Sequence, residues 1–406
     1  MPAPFPSSKN YAYTYGSEAF EDLTENEARS EVPSVAVAEL KGHDEGPIHI
    51  VRFTADGKYC VTGGNDRTVR LWNPTRIDPA HTSHFRETSS TFTSARQNDK
   101  QQQQPSNQSK KLPPALPIQK YAEGHVHPIH ALTVNSSSTV LLSASDKTLL
   151  ATDLVTAQTK QKWWGHYGRI DHVACLGGNN EGSVASAGED IYASASYDAT
   201  VRLWDARSRS KEPLMILEDA KDAVTCVSSG NSALGDAQII TSSVDGKIRT
   251  YDLRKAQLQT EDLVHPITSF TFSNDASCIA ASCLDGIIRL WDCTINNHSR
   301  KRVFQKMHSF HKSGNYKLEC AFTSQDKYLV SGSECGAVVV YPVSDGNDAK
   351  NVNMMTTTTL ARHNGPVCSV ATCPKKNRPW LLVSASYDGS AMVWASKNEA
   401  DHCLEV

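Results

Sequence analysis

Long hydrophobic runs are missing from this chain: no stretch approaches the roughly 18 apolar residues that indicate a membrane-spanning helix. The chain also lacks a large excess of either charge, because 41 Lys and Arg residues nearly balance 44 Asp and Glu residues. The resulting net charge of −3 is far from the basic excess of a dedicated nucleic-acid binder. The first residues, MPAPFPSSKN, contain no basic segment followed by an apolar one, so we expect no secretory signal and no membrane partner.

Sequence motifs of catalysis, nucleotide binding and metal binding are also missing. The sequence has no P-loop, G-x-G-x-x-G, H-E-x-x-H or G-x-S-x-G, so it predicts no enzyme, no cofactor and no metal site. Its 11 cysteines are odd in number, form no Cys-x-x-Cys and mostly lie in apolar stretches. That usage is typical of buried reduced thiols in a cytosolic or nuclear protein rather than of a secreted disulfide scaffold.

One short pattern recurs seven times: small polar residues, a turn Asp, then an alternating strand that ends in an aromatic residue. Two of the copies read SASYDATVRLWD and SCLDGIIRLWD. The pattern resembles the WD-repeat family, and the resemblance implies an all-β, seven-bladed propeller over about residues 34–396. The terminal aromatic position of the seven copies, where Thr152 is a replacement, is held by Trp72, Thr152, Trp204, Tyr251, Trp291, Tyr341 and Trp394.

Repeat spacing fits this fold. Once insertions near 77–114 and 177–189 are set aside, the interval is about 45 residues, as expected for a four-stranded blade. The last copy has no fourth strand after Trp394, and the alternating segment SVAVAEL (34–40) precedes the first repeat. We therefore expect the N-terminal strand to complete the last blade, with residues 1–33 as a flexible tail and 397–406 as a short C-terminal tail.

Three repeats contain a complete set of a His, a Ser or Thr, the turn Asp and a Trp. A Ser, His and Asp within reach could suggest a hydrolase triad, but an active site occurs once and this set recurs. The resemblance implies a buried hydrogen-bonded chain within each blade. The sets are His43, Thr62, Asp66, Trp72; His166, Ser194, Asp198, Trp204; and His363, Ser384, Asp388, Trp394. Thr152 replaces Trp, Cys335 replaces Asp and the fourth repeat lacks the His, so we expect those blades to be softer.

The resemblance also implies a binding face. In the family the residue before each turn Asp projects from the face that carries these aspartates, which we call the top face. Tyrosine is favoured at binding hot spots, although these tyrosines could instead pack on neighbouring blades. The candidate partner-binding residues are Asn65, Tyr197, Val244, Leu284 and Tyr387. The first strands are expected to bring His49, His130, Asp171, His172, Thr225 and Thr268 to the central channel and top face.

The Gln-rich insertion at about 77–114 has too few apolar residues to offset its ordering entropy, so we expect it to be disordered. Near its end, Lys110 and Lys111 precede Leu116 and Ile118, an order that resembles a docking peptide for mitogen-activated protein kinases. The same residues also fit the pattern of a polyproline ligand. The sequence favours a third interpretation, in which Leu116 and Ile118 begin an outer strand and the two lysines are solvated.

Four distinctive stretches, 51–74, 204–224, 242–254 and 311–322, are similar to the family of mitogen-activated protein kinase organizers among WD-repeat proteins. That resemblance implies a non-enzymatic scaffold, cytoplasmic and nuclear, whose partners are kinase-cascade members or spliceosomal proteins in pre-mRNA splicing. It further implies a monomeric propeller within larger complexes, without direct contact to nucleic acid.

A different function class rests on two consecutive repeats that end in Trp/Tyr-Asp-x-Arg. These boxes resemble those of substrate receptors of cullin-RING ubiquitin ligases, and the resemblance implies that Arg207 and Arg254 contact the ligase adaptor. The alternative is a structural Arg at a strand end, because such boxes occur in many propellers.

Overall fold

A computed structural model of the protein describes residues 32–43, 46–77, 112–176, 190–229, 238–275, 277–292, 305–307, 311–343, 357–397 and 399–400. These residues form 28 β-strands in seven four-stranded antiparallel sheets, and none of them forms an α-helix. Each sheet is one blade. The predicted flexible tail, the Gln-rich insertion and the end of the chain lie almost entirely outside the described residues, and those expectations stay predictions.

Blades 1–3 follow the chain in order. Blade 1 consists of β2 (Ile48–Phe53), β3 (Cys60–Gly64), β4 (Val69–Ile77) and β5 (Ala115–Tyr121). Blade 2 consists of β6 (Ala131–Val134), β7 (Val140–Ala144), β8 (Thr148–Asp153) and β9 (Thr159–Trp164). Blade 3 consists of β10 (Ile170–Cys175), β11 (Ile191–Ser196), β12 (Val201–Asp205) and β13 (Met215–Leu217).

Blades 4–6 repeat this order, from the inner strand outward. Blade 4 has β14 (Val224–Ser229), β15 (Gln238–Ser243), β16 (Lys247–Asp252) and β17 (Gln257–Asp262). Blade 5 has β18 (Ile267–Phe272), β19 (Cys278–Cys283), β20 (Ile288–Asp292) and β21 (Gln305–Met307). Blade 6 has β22 (Cys320–Phe322), β23 (Tyr328–Gly332), β24 (Ala337–Pro342) and β25 (Thr358–Ala361).

Blade 7 joins the two ends of the ring. Its inner strands are β26 (Val367–Thr372), β27 (Leu382–Ser386) and β28 (Ala391–Ala395), and its outer strand is β1 (Val35–Glu39). In the antiparallel register Val35 pairs with Ala395 and Glu39 with Met392. This arrangement confirms the predicted seven-bladed propeller and its closure by the N-terminal strand, which leaves neither end of the ring with an open edge.

The core consists of layers between neighbouring blades. Trp72 is fully buried and belongs to an apolar cluster shared with Val383 and Val393 of blade 7. Trp204 of blade 3 packs in the same way with Leu142 of blade 2. Each such Trp therefore adds apolar burial against the preceding blade to its role within its own sheet.

Five inner strands carry the same irregularity at their second residue. The register shifts there, as between Ile48 and Ile50, so one residue is left out of the ladder. A bulge of this kind re-aims a side chain and bends the strand. The residues concerned are His49, Asp171, Thr225, Thr268 and Cys368.

Candidate functional site

The His-Thr-Asp-Trp set of blade 1 forms one continuous chain of hydrogen bonds. His43 Nδ1 lies 2.9 Å from Asp66 Oδ2 and Nε2 lies 2.7 Å from Thr62 Oγ1, while Trp72 Nε1 donates to that hydroxyl at 2.8 Å. A carboxylate can only accept, so Nδ1 donates and the hydroxyl is bonded by Nε2 and the indole. Burial alone would raise the pKa of Asp66, but the hydrogen bonds from His43 and Thr68 lower it to about 2.

Blade 3 repeats this geometry, whereas blade 7 varies it. His166 lies 2.9 Å from Asp198 and 2.7 Å from Ser194, which accepts from Trp204 at 2.9 Å. In blade 7, His363 contacts Ser384 at 2.7 Å, and Trp394 donates to the same hydroxyl at 2.8 Å. There, His363 Nδ1 lies 2.6 Å from Ser390 and 3.6 Å from Asp388. The three sets recur at equivalent places, as expected of a structural feature and not of a single active site.

Two blades use arginine at the turn aspartate, a substitution that the sequence reasoning missed. In blade 4, which lacks the His, Arg249 donates to Asp245 at 2.6 Å and Ser243 Oγ donates to the same carboxylate. In blade 5, Arg289 donates to Asp285 at 2.5 Å. The repeated spacing Asp-Gly-x-x-Arg was the available signal, since it places the Arg four residues after the turn Asp on the next strand.

The five candidate partner-binding residues occupy equivalent positions on the top face. In each case the backbone N–H donates to a carbonyl in the loop that leads into the same blade, as Tyr197 does to Arg169 at 2.8 Å and Tyr387 to Pro366 at 3.0 Å. Their exposure differs: Asn65 and Tyr197 are exposed, and the others are half-buried. The corresponding acceptors of Asn65, Val244 and Leu284 are Pro47, Ala223 and Pro266.

The structure places Tyr387 in an aromatic group at the top of the channel. Its ring centroid is 5.1 Å from that of Tyr316 and 5.5 Å from that of His49, which lies 4.7 Å from His130. We call these four residues, contributed by blades 6, 7, 1 and 2, the central aromatic cluster. Val244 and Leu284 lie further around the ring, on blades 4 and 5.

Arg169 connects Tyr197 with this cluster. Its guanidinium lies 5.9 Å from the centroid of the Tyr197 ring, within range of a cation–π interaction, and its Nε donates to Asp171 at 2.6 Å. Its charge also acts on His49 and His130. Tyr197 therefore forms an exposed extension of the cluster toward blade 3.

Tyr316 was missed by the sequence reasoning because it precedes an inner strand and does not occupy the position before a turn Asp. Its loop is fixed by Glu334, which takes the place before Cys335 in blade 6. One carboxylate oxygen of Glu334 accepts from the N–H groups of Gly314, Asn315 and Tyr316 at 2.6–3.0 Å. A carboxylate facing three successive N–H groups was not recognisable from the repeat pattern.

The two cluster histidines are neutral near pH 7. Burial disfavours the imidazolium, and the positive charge of Arg169 adds to this effect, so the pKa of His49 falls to about 4. The pKa of His130 falls to about 3 for the same reasons, with His49 and Lys317 contributing. The cluster is thus an aromatic surface with neutral imidazoles, and the nearby guanidinium of Arg169 is paired with Asp171.

Charged side chains of the inner strands, and of the loops before them, link blades across the ring. Lys317 of blade 6 donates to the carbonyls of Asp171 at 2.7 Å and Thr225 at 3.0 Å, so it reaches blades 3 and 4. Arg52 and Glu319 form a second link, between blades 1 and 6. In the part of the chain that the structure describes, no group of His, Cys, Asp and Glu has the arrangement of a metal site.

Of the remaining candidates, Leu116, Ile118, Arg207 and Arg254 belong to the described residues. Lys110 and Lys111 fall outside the described residues, while Leu116 and Ile118 are part of the outer strand β5. Arg207 donates to Asp205 of its own strand at 3.1 Å and 3.2 Å. Arg254 is exposed and follows β16 at the equivalent position of the next blade. No helix among the described residues is long and apolar enough to cross a membrane.

Comparison with known proteins identifies the repeats. The family model described as "WD domain, G-beta repeat" matches residues 34–73, 159–205, 257–292 and 355–395. These ranges contain the terminal Trp of blades 1, 3, 5 and 7, whereas the unmatched repeats are those with Thr152, with no His, or with Cys335.

Several relatives are similar to the chain. A WD repeat domain-containing protein 83 homolog from Dictyostelium discoideum is 24% identical over 378 residues, which cover 87% of this chain and 96% of that protein. WD repeat domain-containing protein 83 of Rattus norvegicus is 31% identical over 187 residues, 46% of this chain and 56% of the rat protein. The Homo sapiens protein of that name is 32% identical over 141 residues, 34% of this chain and 41% of the human protein. The rat and human matches thus span about half of those relatives.

Proposed function

Since the chain is a WD-repeat protein that folds into a seven-bladed propeller, we propose that it is a non-enzymatic scaffold that binds its partners through the central aromatic cluster and Tyr197. The fold supports the interaction role, because WD-repeat propellers typically present a rigid face to other proteins. The observation that carries the choice of face is the contact of Tyr387 with Tyr316 and His49 beside the exposed Tyr197. Rigid tyrosines beside a paired arginine are the composition of a binding hot spot.

We assign the partners to two classes, spliceosomal proteins and members of a mitogen-activated protein kinase cascade. The resemblance of residues 51–74, 204–224, 242–254 and 311–322 to the kinase-organizer family supports this assignment, and the similarity to WD repeat domain-containing protein 83 is consistent with it. We further propose that the chain acts in both cytoplasm and nucleus, as that resemblance implies. Only binding to the kinase class would use the candidate docking residues, which are Lys110, Lys111, Leu116 and Ile118.

The test is affinity purification of the tagged chain from its own cells, with nuclear and cytosolic fractions analysed separately by mass spectrometry. The variant Tyr197→Ala/Tyr316→Ala/Tyr387→Ala is expected to lose the partners that the unchanged chain retains, while its circular dichroism and unfolding midpoint show a folded ring. Val155→Ala is the matched control, since Val155 is 79% exposed and lies in the turn between β8 and β9, outside the cluster. Retention of every partner by the triple variant contradicts the proposed face.

The ligase interpretation is the second candidate, and one observation favours it. Arg254 is exposed two residues after Asp252, to whose carboxylate its backbone N–H donates, at the position equivalent to Arg207 on the neighbouring blade. Co-purification of the cullin-RING adaptor with the unchanged chain and its loss in Arg254→Ala would establish that role. Lys255→Ala is the control, because it removes an adjacent exposed charge. Absence of the adaptor from both purifications excludes the ligase role.

A further inference from the structure

The outer edge of blade 3 is apolar and exposed. Leu214, Met215 and Ile216 are 58%, 44% and 39% exposed, and the last two lie in β13. The outer strands of the neighbouring blades each expose one large apolar side chain beside mainly polar residues, Trp164 in β9 and Leu258 in β17. An exposed apolar edge strand is a feature that soluble proteins ordinarily avoid, because it offers a template for pairing with another chain.

Trp164 extends this surface from the end of β9 in blade 2. Its indole is 50% exposed, and Lys211 Nζ lies 4.6 Å from the ring centroid. Gln161 of β9 donates to the carbonyl of Ser208 at 2.7 Å and so holds the turn before β13 against blade 2. We call Trp164, Lys211, Leu214, Met215 and Ile216 the blade-3 edge.

The backbone of β13 has a free side. Within the described residues, β13 pairs with β12 alone, through Leu217 with Val201, Ile216 with Arg202 and Met215 with Leu203. The N–H and C=O groups that alternate toward the outside are therefore open to an added strand. An extended peptide can use them for main-chain hydrogen bonds while its alternate side chains contact the apolar surface.

Charges at the two ends of β13 specify the peptide further. Arg209, Lys211 and Glu212 precede the strand, with a net charge of +1, and the exposed Glu218 and Asp219 follow it. A strand added antiparallel to β13 has its C-terminal end beside Arg209 and Lys211. Charge complementarity therefore favours acidic residues at the C-terminal end of the incoming peptide.

We propose that the blade-3 edge binds an extended segment of a partner protein that adds antiparallel to β13 as a fifth strand, with alternating apolar residues followed by acidic ones. The segment is held by main-chain hydrogen bonds, by Trp164, Leu214 and Ile216, and by the cations before the strand. This surface lies on the outer rim of the ring, whereas the central aromatic cluster surrounds the channel on the top face. The two surfaces can be occupied independently.

The test is selection of phage-displayed random nonapeptides on the full-length protein, compared with its variant Trp164→Ala/Leu214→Lys/Ile216→Lys. We expect peptides that alternate apolar and polar residues and end in Asp or Glu, and that bind the unchanged protein at least about tenfold more tightly than the variant by fluorescence polarisation. Leu258→Lys is the matched control, since Leu258 is 44% exposed in the outer strand of blade 4. It should leave the affinity unchanged.

Two further measurements separate the parts of the proposal. Methylation of alternate backbone nitrogens in the selected peptide should abolish binding, because it removes the main-chain donors that strand addition needs. Lys211→Glu should weaken acid-ended peptides, whereas peptides ending in Lys should not be weakened. Failure to enrich peptides on the unchanged protein, full binding by the methylated peptide, or self-association of the protein that the triple variant abolishes would each overturn the proposal.

Discussion

The guanidinium of Arg52 in blade 1 donates two hydrogen bonds to the carboxylate of Glu319 in blade 6, at 2.7 Å and 2.8 Å. Ser369 of blade 7, which lies between them in the ring, donates to the same carboxylate at 2.6 Å. The three side chains therefore connect the first repeat to the last two on the channel side, whereas β1 and β28 connect the two ends of the chain on the outside. The ring is thus closed by polar side-chain contacts on the inside and by the main-chain hydrogen bonds of a sheet on the outside.

Glu319→Ala should destabilise the protein by about 3–5 kcal/mol, because it leaves the largely buried guanidinium of Arg52 without its carboxylate partner. Burial alone would lower the pKa of Arg52, and the carboxylate of Glu319 raises it again, so the two groups are held as a charged pair. The measurement is the free energy of unfolding in urea.

The double variant Arg52→Met/Glu319→Leu is the control, since it removes both charges and keeps their apolar volume. This double variant should lower the free energy of unfolding much less than Glu319→Ala does. Equal losses in the two variants would show that packing in the channel matters and the pair does not.

The histidine of blade 2 makes stability depend on pH. His125 lies 2.7 Å from Ser143 Oγ and 3.0 Å from Ser145 Oγ, and burial together with the charge of Lys162 lowers its pKa from 6.5 to about 4. The folded state then binds the proton more weakly than the unfolded chain does. Its contribution to stability is complete above the unfolded pKa and is lost as pH falls from about 6.5 toward about 4.

His125→Gln should therefore be less stable than the unchanged protein by about 1–2 kcal/mol at about pH 7.5, with the gap narrowing at about pH 5. Urea unfolding at the two pH values measures both gaps. His127→Asn removes an exposed imidazole two positions away and serves as the control. A gap that is independent of pH would rule out the proton-linked contribution of His125.

The repeat pattern predicted the ring because its cues are local: the turn Asp, the alternating strand and the terminal aromatic residue recur with a nearly constant interval. It also placed the closing strand, since an unpaired alternating segment had only one open edge to fill. Side chains that act across blades carried no such cue. Tyr316 meets Tyr387, and Arg52 meets Glu319, only because ring closure brings distant segments of the chain together.

The hydroxyl at the centre of the blade-3 network should contribute more to the free energy of unfolding than an exposed hydroxyl does. Ser194 Oγ is fully buried, lies 2.7 Å from His166 and accepts from Trp204, so Ser194→Ala leaves buried polar groups of both rings unpaired. We expect a loss of about 1–3 kcal/mol in the free energy of unfolding. Thr260→Ala, in the exposed strand β17, should change that free energy by less than about 0.5 kcal/mol. Similar losses in both variants would contradict a special role of the network.

Glu334 should influence partner binding through the loop that carries Tyr316. The N–H groups of Gly314, Asn315 and Tyr316 outweigh the effect of burial and lower the pKa of this carboxyl, so it is ionised at neutral pH. Glu334→Ala removes the acceptor of all three and should loosen the loop, and the contact of Tyr316 with Tyr387 should weaken with it.

The measurements are hydrogen exchange of residues 313–317 and affinity for a partner recovered in the purification. Faster exchange and about three- to tenfold weaker binding are expected for Glu334→Ala, a loss of the size that accompanies removal of charge-assisted hydrogen bonds. Glu334→Gln keeps an oxygen acceptor and should restore most of both. If exchange rises in Glu334→Ala while affinity stays constant, Tyr316 takes no part in binding, and the docking surface is reduced to Tyr387, Tyr197 and the paired histidines beside them.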